Sequence, residues 1–68
     1  MINVGDMVTF SMDFTHLLDG RHALYMGKNY ITIEGGRYLK NHRVWLVGEQ
    51  KPRNIDYSFT KYMKLCGF

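Results

Sequence analysis

Four side chains carry the chemistry most often recruited to metal and nucleophile sites: His16, His22, His42 and Cys66. A tetrahedral zinc site usually draws its ligands from close pairs such as C-x2-C or H-x3-H, and none of the four has such a neighbour. The spacing points to partly exposed turn and strand histidines, and to no metal. Cys66 as a nucleophile requires a lowered pKa and a positioned base. Lys61 and Lys64 lie nearby, but a small buried apolar filler suits the residue better. Asp6, Asp13, Asp19 and Glu34 fall in turns or on polar strand faces, where solvated carboxylates belong. Ser11 and Ser58 lie outside any nucleophile-elbow sequence, and Gly35-Gly36 lacks the surroundings of a phosphate loop. A chain this small also offers little concave volume. The expectation is a non-enzymatic protein with no catalytic residue, metal or cofactor.

Basic and aromatic residues form the other constellation. If Val44 and Leu46 point inward by strand parity, Arg43 and Trp45 point outward. If Leu39 points inward on a preceding strand, Tyr38 and Lys40 point outward. Arg37, Tyr38, Lys40, Arg43 and Trp45 then make one cationic and aromatic surface, which Lys51 and Arg53 extend. Nucleic-acid sites use this pairing, since cations neutralise phosphates while flat rings stack on bases. The competing reading is bland: Lys and Arg solvate most surfaces, and a lone Trp usually sits partly in the core. A second kind of surface is also present. The Met residues at 1, 7, 12, 26 and 63, with Tyr30, Tyr57 and Tyr62, are the residue types of adaptable protein-binding surfaces.

Charge is unevenly spread. Residues 1–36 carry Arg21 and Lys28 against Asp6, Asp13, Asp19 and Glu34, whereas residues 37–68 carry seven cations against Glu49 and Asp56. Such polarity attracts polyanions unless folding intermixes the halves. The net charge of +3 is modest for a dedicated polyanion binder, which tips the balance toward a protein partner.

Sixty-eight residues make one domain at most, and a chain this short buries only about 60% of the surface its unfolded form exposes. Apolar residues at 46% and aromatics at 15% are ample for a dense core and argue against disorder. A single cysteine forms no intramolecular disulfide. Residues 1–6 have no basic start or continuous apolar run of a signal peptide, and apolar runs such as 44–47 are far too short to span a membrane. A cytoplasmic setting without membrane contact is expected.

The elements follow from periodicity. Residues 8–14 alternate, with Val8, Phe10, Met12 and Phe14 on one face, as in a half-buried strand. Leu18-Asp19-Gly20 is a turn. Residues 22–26 make a second strand ending at a Gly27-Lys28-Asn29 turn, and residues 30–34 make a third. Gly35-Gly36 is a two-residue hairpin linker tolerant of positive φ, followed by a strand over 37–40, a turn at Asn41-His42 and a fifth strand over 43–47. Residues 48–54 hold the only Pro and read as a loop. Residues 55–66 fit either period. Ser58 as a cap and Gly67-Phe68 as a left-handed closure favour a helix slightly.

Five short strands with tight turns suit a small barrel. Val4-Gly5-Asp6-Met7-Val8 resembles the G-D-x-V opening of SH3-like barrels. Residues 19–34 resemble their central strands, and residues 41–46 their closing turn and last strand. The resemblance covers about residues 4–47 and implies a mainly β, five-stranded SH3-like barrel over 1–48, with residues 49–68 as a C-terminal extension packed on it. A fold this widely reused implies no activity. The function expected is therefore a protein-interaction module, an accessory or inhibitor protein of a kind that phages and mobile elements often encode. A nucleic-acid-binding module using the basic and aromatic patch is the alternative. Pairing of two copies at strand one or strand five would make a homodimer.

Overall fold

The computed structural model describes residues 1–12 and 16–66. Alternation of buried and exposed side chains builds five antiparallel strands: β1 (Met7–Phe10), β2 (His22–Ile33), β3 (Arg37–Leu46), β4 (Arg53–Asp56) and β5 (Met63–Leu65). A 3-10 helix, Tyr57–Tyr62, links the last two. The strands form one sheet in the order β4-β3-β2-β1-β5. The fold is mainly β. Its two outermost strands, β4 and β5, do not pair with each other, so the sheet is open.

Paired residues share a face, and the registers place the apolar ones in rows. Val8 pairs with Ala23, and Ala23 with Leu46; all three are fully buried. Phe10 pairs with Met63, and Tyr25 with Val44. With Ile55 and Leu18 these side chains make the core, against which Ile2, Met12 and Phe59 pack. The expected parity of Val8 and Phe10 holds, and Met12 continues it beyond the strand. Asp13 and Phe14 lie outside the described residues. The Leu18-Asp19-Gly20 turn is present: Gly20 N–H donates to Phe10 O at 2.9 Å, and an Asp19 carboxylate oxygen accepts from Met12 N–H at 2.9 Å.

Two expected turns are absent. Strands expected at 22–26 and 30–34 are one strand, β2, because Gly27 absorbs the irregularity as a bulge, with φ +107° and a register shift between Tyr25 and Gly27. Strands expected at 37–40 and 43–47 are likewise one strand, β3, running straight through Asn41 and His42. Both residues are buried: Asn41 Nδ2 donates to Leu39 O, and His42 has partners on both ring nitrogens. The hairpin loop has three residues rather than two, since Ile33 pairs with Arg37 across residues 34–36. Gly35 and Gly36 both adopt positive φ there, as their sequence implies.

Residues 48–68 contribute structure of their own. Arg53 and Asn54 belong to β4 and not to a loop, and residues 55–66 hold both a 3-10 turn and a strand. The helix is capped by Asp56, whose Oδ1 accepts from Ser58 N–H at 2.8 Å, and not by Ser58. Gly67 and Phe68 lie outside the described residues. Strand one, expected to be an edge, is interior, flanked by β2 and β5.

A twelve-residue strand rising ~3.3 Å per residue is about 40 Å long, and the longest extent of the molecule is 42 Å against 27 and 26 Å for the other two. The β2–β3 hairpin therefore sets the long axis. From Tyr30 to Leu39 every residue is exposed. That half of the hairpin projects beyond the core.

Candidate functional site

Continuity of β3 decides where the expected patch residues go. Tyr38 and Lys40 share the parity of His42, Val44 and Leu46, which is the core side of the sheet. Arg37, Arg43 and Trp45 have the opposite parity. Lys40 and Arg43, three positions apart in an unbroken strand, lie back to back; a turn at Asn41-His42 was needed to bring them together. The seven residues do not form one surface.

On the outer side, Trp45 pairs with Leu24, and its indole N–H donates to Glu49 O at 2.8 Å. The Glu49 carboxylate receives a forked contact from Arg53, Nε to Oε1 at 3.0 Å and Nη2 to Oε2 at 2.6 Å. Trp45 and Arg53 thus brace the β3–β4 loop through Glu49, Arg53 from the core-side register opposite Val44, with Lys51 beside them. Arg43 faces Asn54 across the β3–β4 pair. Further along this side, Ile31 pairs with Leu39 and Ile33 with Arg37. The aliphatic residues are each more than a third exposed.

The core side of the hairpin carries Lys28, Tyr30, Thr32, Tyr38 and Lys40, since Lys28 pairs with His42, Tyr30 with Lys40 and Thr32 with Tyr38. Tyr57 of the 3-10 helix joins them. Its ring stacks on His42, with centroids 4.7 Å apart and planes 20° from parallel, and the Lys40 ammonium stands 4.0 Å from its centroid. Sequence reasoning missed His42 and Tyr25 as a linked pair. The available signal was parity: 38, 40, 42, 44 and 46 form an unbroken period of two if the turn is not imposed.

Behind Tyr57 runs a chain of hydrogen bonds whose direction is fixed at the Thr60 end. The Thr60 hydroxyl donates to Tyr57 O at 2.6 Å, so Thr60 Oγ1 accepts from His42 Nε2–H at 2.7 Å. In the neutral ring His42 Nδ1 is then the acceptor for the Tyr25 hydroxyl, at 2.7 Å. Burial lowers the His42 pKa, and the nearby Lys28 and Lys40 charges lower it further. Burial likewise raises the Tyr25 pKa, with Tyr57 adding to it. Both shifts favour the neutral imidazole and the intact phenol. Every polar atom of the chain is used, and among the described residues no buried side-chain N or O lacks a partner. The network ties β2, β3 and the 3-10 helix together and leaves no free base or nucleophile.

An open groove of about 640 Å³ lies beside this network, walled by Ile2, Val4, Met63, Tyr57 and Lys28. Its walls are mainly apolar, and Lys28 brings an ammonium to them. Among the described residues no three His, Cys, Asp or Glu side chains stand together as metal ligands, and no helix is long and apolar enough to cross a membrane. Comparison with protein-family models, curated proteins and solved structures finds no match to this chain.

Proposed function

We propose that this chain is a non-enzymatic protein-interaction module, an accessory or inhibitor protein that docks on a larger partner through the projecting β2–β3 hairpin. The observation that carries this reading is the exposure of Tyr30, Ile31, Ile33, Tyr38 and Leu39 on a segment with no core beneath it. The hairpin shows Tyr30 and Tyr38 on one face and Ile31, Ile33 and Leu39 on the other. Exposed apolar and Tyr side chains are costly in an unpartnered surface and are the residue types that interfaces collect. The non-enzymatic part of the reading is supported by the fully used Tyr25–His42–Thr60 chain. We read the sheet as an SH3-like barrel left open: β1 is held between β2 and β5, and Ile55 and Met63 from the two outermost strands enter one core. A reducing, cytoplasmic setting suits the free Cys66 thiol.

The test is selection of binding proteins or peptides from a display library on the wild-type chain, followed by titration against Ile31→Asp/Leu39→Asp. Both side chains are exposed, so the variant should keep its fold, checked by circular dichroism. Affinity lost by tenfold or more supports the hairpin; ligands that bind both proteins equally place the site elsewhere.

A nucleic-acid reading has one favouring observation, the alternation of Lys28 and Lys40 with Tyr30 and Tyr38 on a single face. Titration with single-stranded DNA, duplex DNA and RNA at two salt concentrations separates the two. Phosphate contacts give affinity that falls steeply with salt, and Lys40→Glu should then weaken it further.

A further inference from the structure

The backbone edge of β2 is occupied only along part of its length. β1 pairs with residues 22–24, and Tyr25 N–H donates to Asp6 O while Tyr25 O accepts from Gly5 N–H. Val4 then packs at Gly27. From Lys28 to the hairpin loop at Glu34, β2 has β3 on one side and, among the described residues, no backbone partner on the other. It is the longest unpaired edge in the sheet. The corresponding edge of β3 beyond β4 spans only residues 37–40 and carries two cations.

We propose that this edge pairs antiparallel with the same edge of a second copy, about a two-fold axis at Ile31. Antiparallel ladders match residues whose backbone groups point the same way, so self-pairing is restricted to registers in which partner numbers sum to an even value. The free strand is 28–33, and the two even registers that overlap it best are centred on Tyr30 and on Ile31. The one centred on Ile31 also brings Glu34, the first loop residue, alongside the partner strand. That register sets Lys28 of each copy opposite Glu34 of the other, giving two opposite-charge pairs. Tyr30 faces Thr32, and Asn29 faces Ile33. Shifting the centre to Tyr30 sets Lys28 opposite Thr32, and shifting it to Thr32 sets Glu34 opposite Tyr30; both lose the charge pairs. Overlap of strand residues is equal in the Tyr30 and Ile31 registers, and charge complementarity selects the Ile31 alignment. On the outer face it also creates a row across four strands, Leu39 and Ile31 of one copy followed by Ile31 and Leu39 of the other, which buries aliphatic surface now exposed. An isologous contact of this kind closes on itself as a dimer. The proposal goes beyond docking on a larger partner, because it concerns the strand edge and a second copy of the chain.

Sedimentation velocity over about 5–500 μM tests it, since a contact of this size belongs with weak, transient interfaces. The wild type should dimerise with a constant in the tens of micromolar, roughly. Lys28→Glu alone, or Glu34→Lys alone, sets like charges opposite each other and should weaken the dimer about tenfold. An equimolar mixture of the two variants restores every cross pair and should associate like wild type. Misfolded variants would not complement in this way, so the mixture separates lost pairing from lost fold. A protein monomeric throughout the range, a dimer unmoved by either substitution, or a mixture that fails to recover would each overturn the proposal.

Discussion

Removing the Tyr25 hydroxyl tests the polar chain at its most buried link. In Tyr25→Phe the ring stays in place, and His42 Nδ1 loses its donor. His42 is 3% exposed and Tyr25 5%, so water has little access to replace the bond. An unsatisfied buried acceptor costs about 1–3 kcal/mol, and we take ~2 kcal/mol as the expected loss. A domain of 68 residues at ~0.05–0.15 kcal/mol per residue has roughly 3–10 kcal/mol in total, so the substitution removes a large share. At about 4–8 °C per kcal/mol for a chain of this size, the melting midpoint should fall by roughly 8–16 °C. Thermal melts by circular dichroism at pH 7.5, with urea titration for ΔG, give the number. Thr60→Val removes the acceptor of His42 Nε2–H from the other end. The two losses act through one imidazole, so a double-mutant cycle should show a coupling of at least about 0.5 kcal/mol. A midpoint shift below about 3 °C for Tyr25→Phe, or losses that simply add, would refute the directed chain.

Acid should destabilise the protein in two steps. Burial and the two lysines lower the folded-state pKa of His42 below 6.5. The unfolded chain therefore binds that proton first, and stability falls as pH drops from about 6.5 through the lowered value. Asp56, whose pKa is lowered from 3.8 by its hydrogen bonds to Ser58, adds a second loss below that value. Urea midpoints measured from pH 8 to 3 should show both, and His42→Gln should flatten the first alone. At the bulge, Gly27→Ala should cost about 1–3 kcal/mol: its backbone is at φ +107°, and the added Cβ would stand 3.1 Å from Val4 Cγ2. Unchanged urea stability in that variant would mean that the bulge relaxes freely.

The core was legible wherever polar and apolar residues alternate without interruption. Val8 with Phe10, and Val44 with Leu46, face inward as their parity predicts, and the wide apolar share of the chain matches a core reached by every strand. The strand boundaries were not. Gly27-Lys28-Asn29 and Asn41-His42 have turn composition, yet each lies within a strand. Local propensity is overruled there by partners distant in sequence: Val4 at Gly27, Tyr25 and Thr60 at His42. That single misplacement at Asn41-His42 also determined the expected site, because one position of parity transfers a side chain to the other face. The Arg53 side chain was expected as a free cation and is paired with Glu49, an ion pair that spacing alone did not single out. Residues 55–66 fitted both periods because they contain both structures.

The position of β1 between β2 and β5 also orders the assembly of the sheet in time. The β2–β3 hairpin closes locally, beginning with Ile33 against Arg37, four residues apart. Pairing of Val8 with Leu65 spans 57 residues, so its loop-closure entropy is among the largest in the chain. During synthesis residues 63–65 emerge after the other four strands, and until they do one side of β1 has no partner. The nascent chain therefore passes through a stage with an open edge on a strand that is interior in the native sheet, when it is most exposed to mispairing.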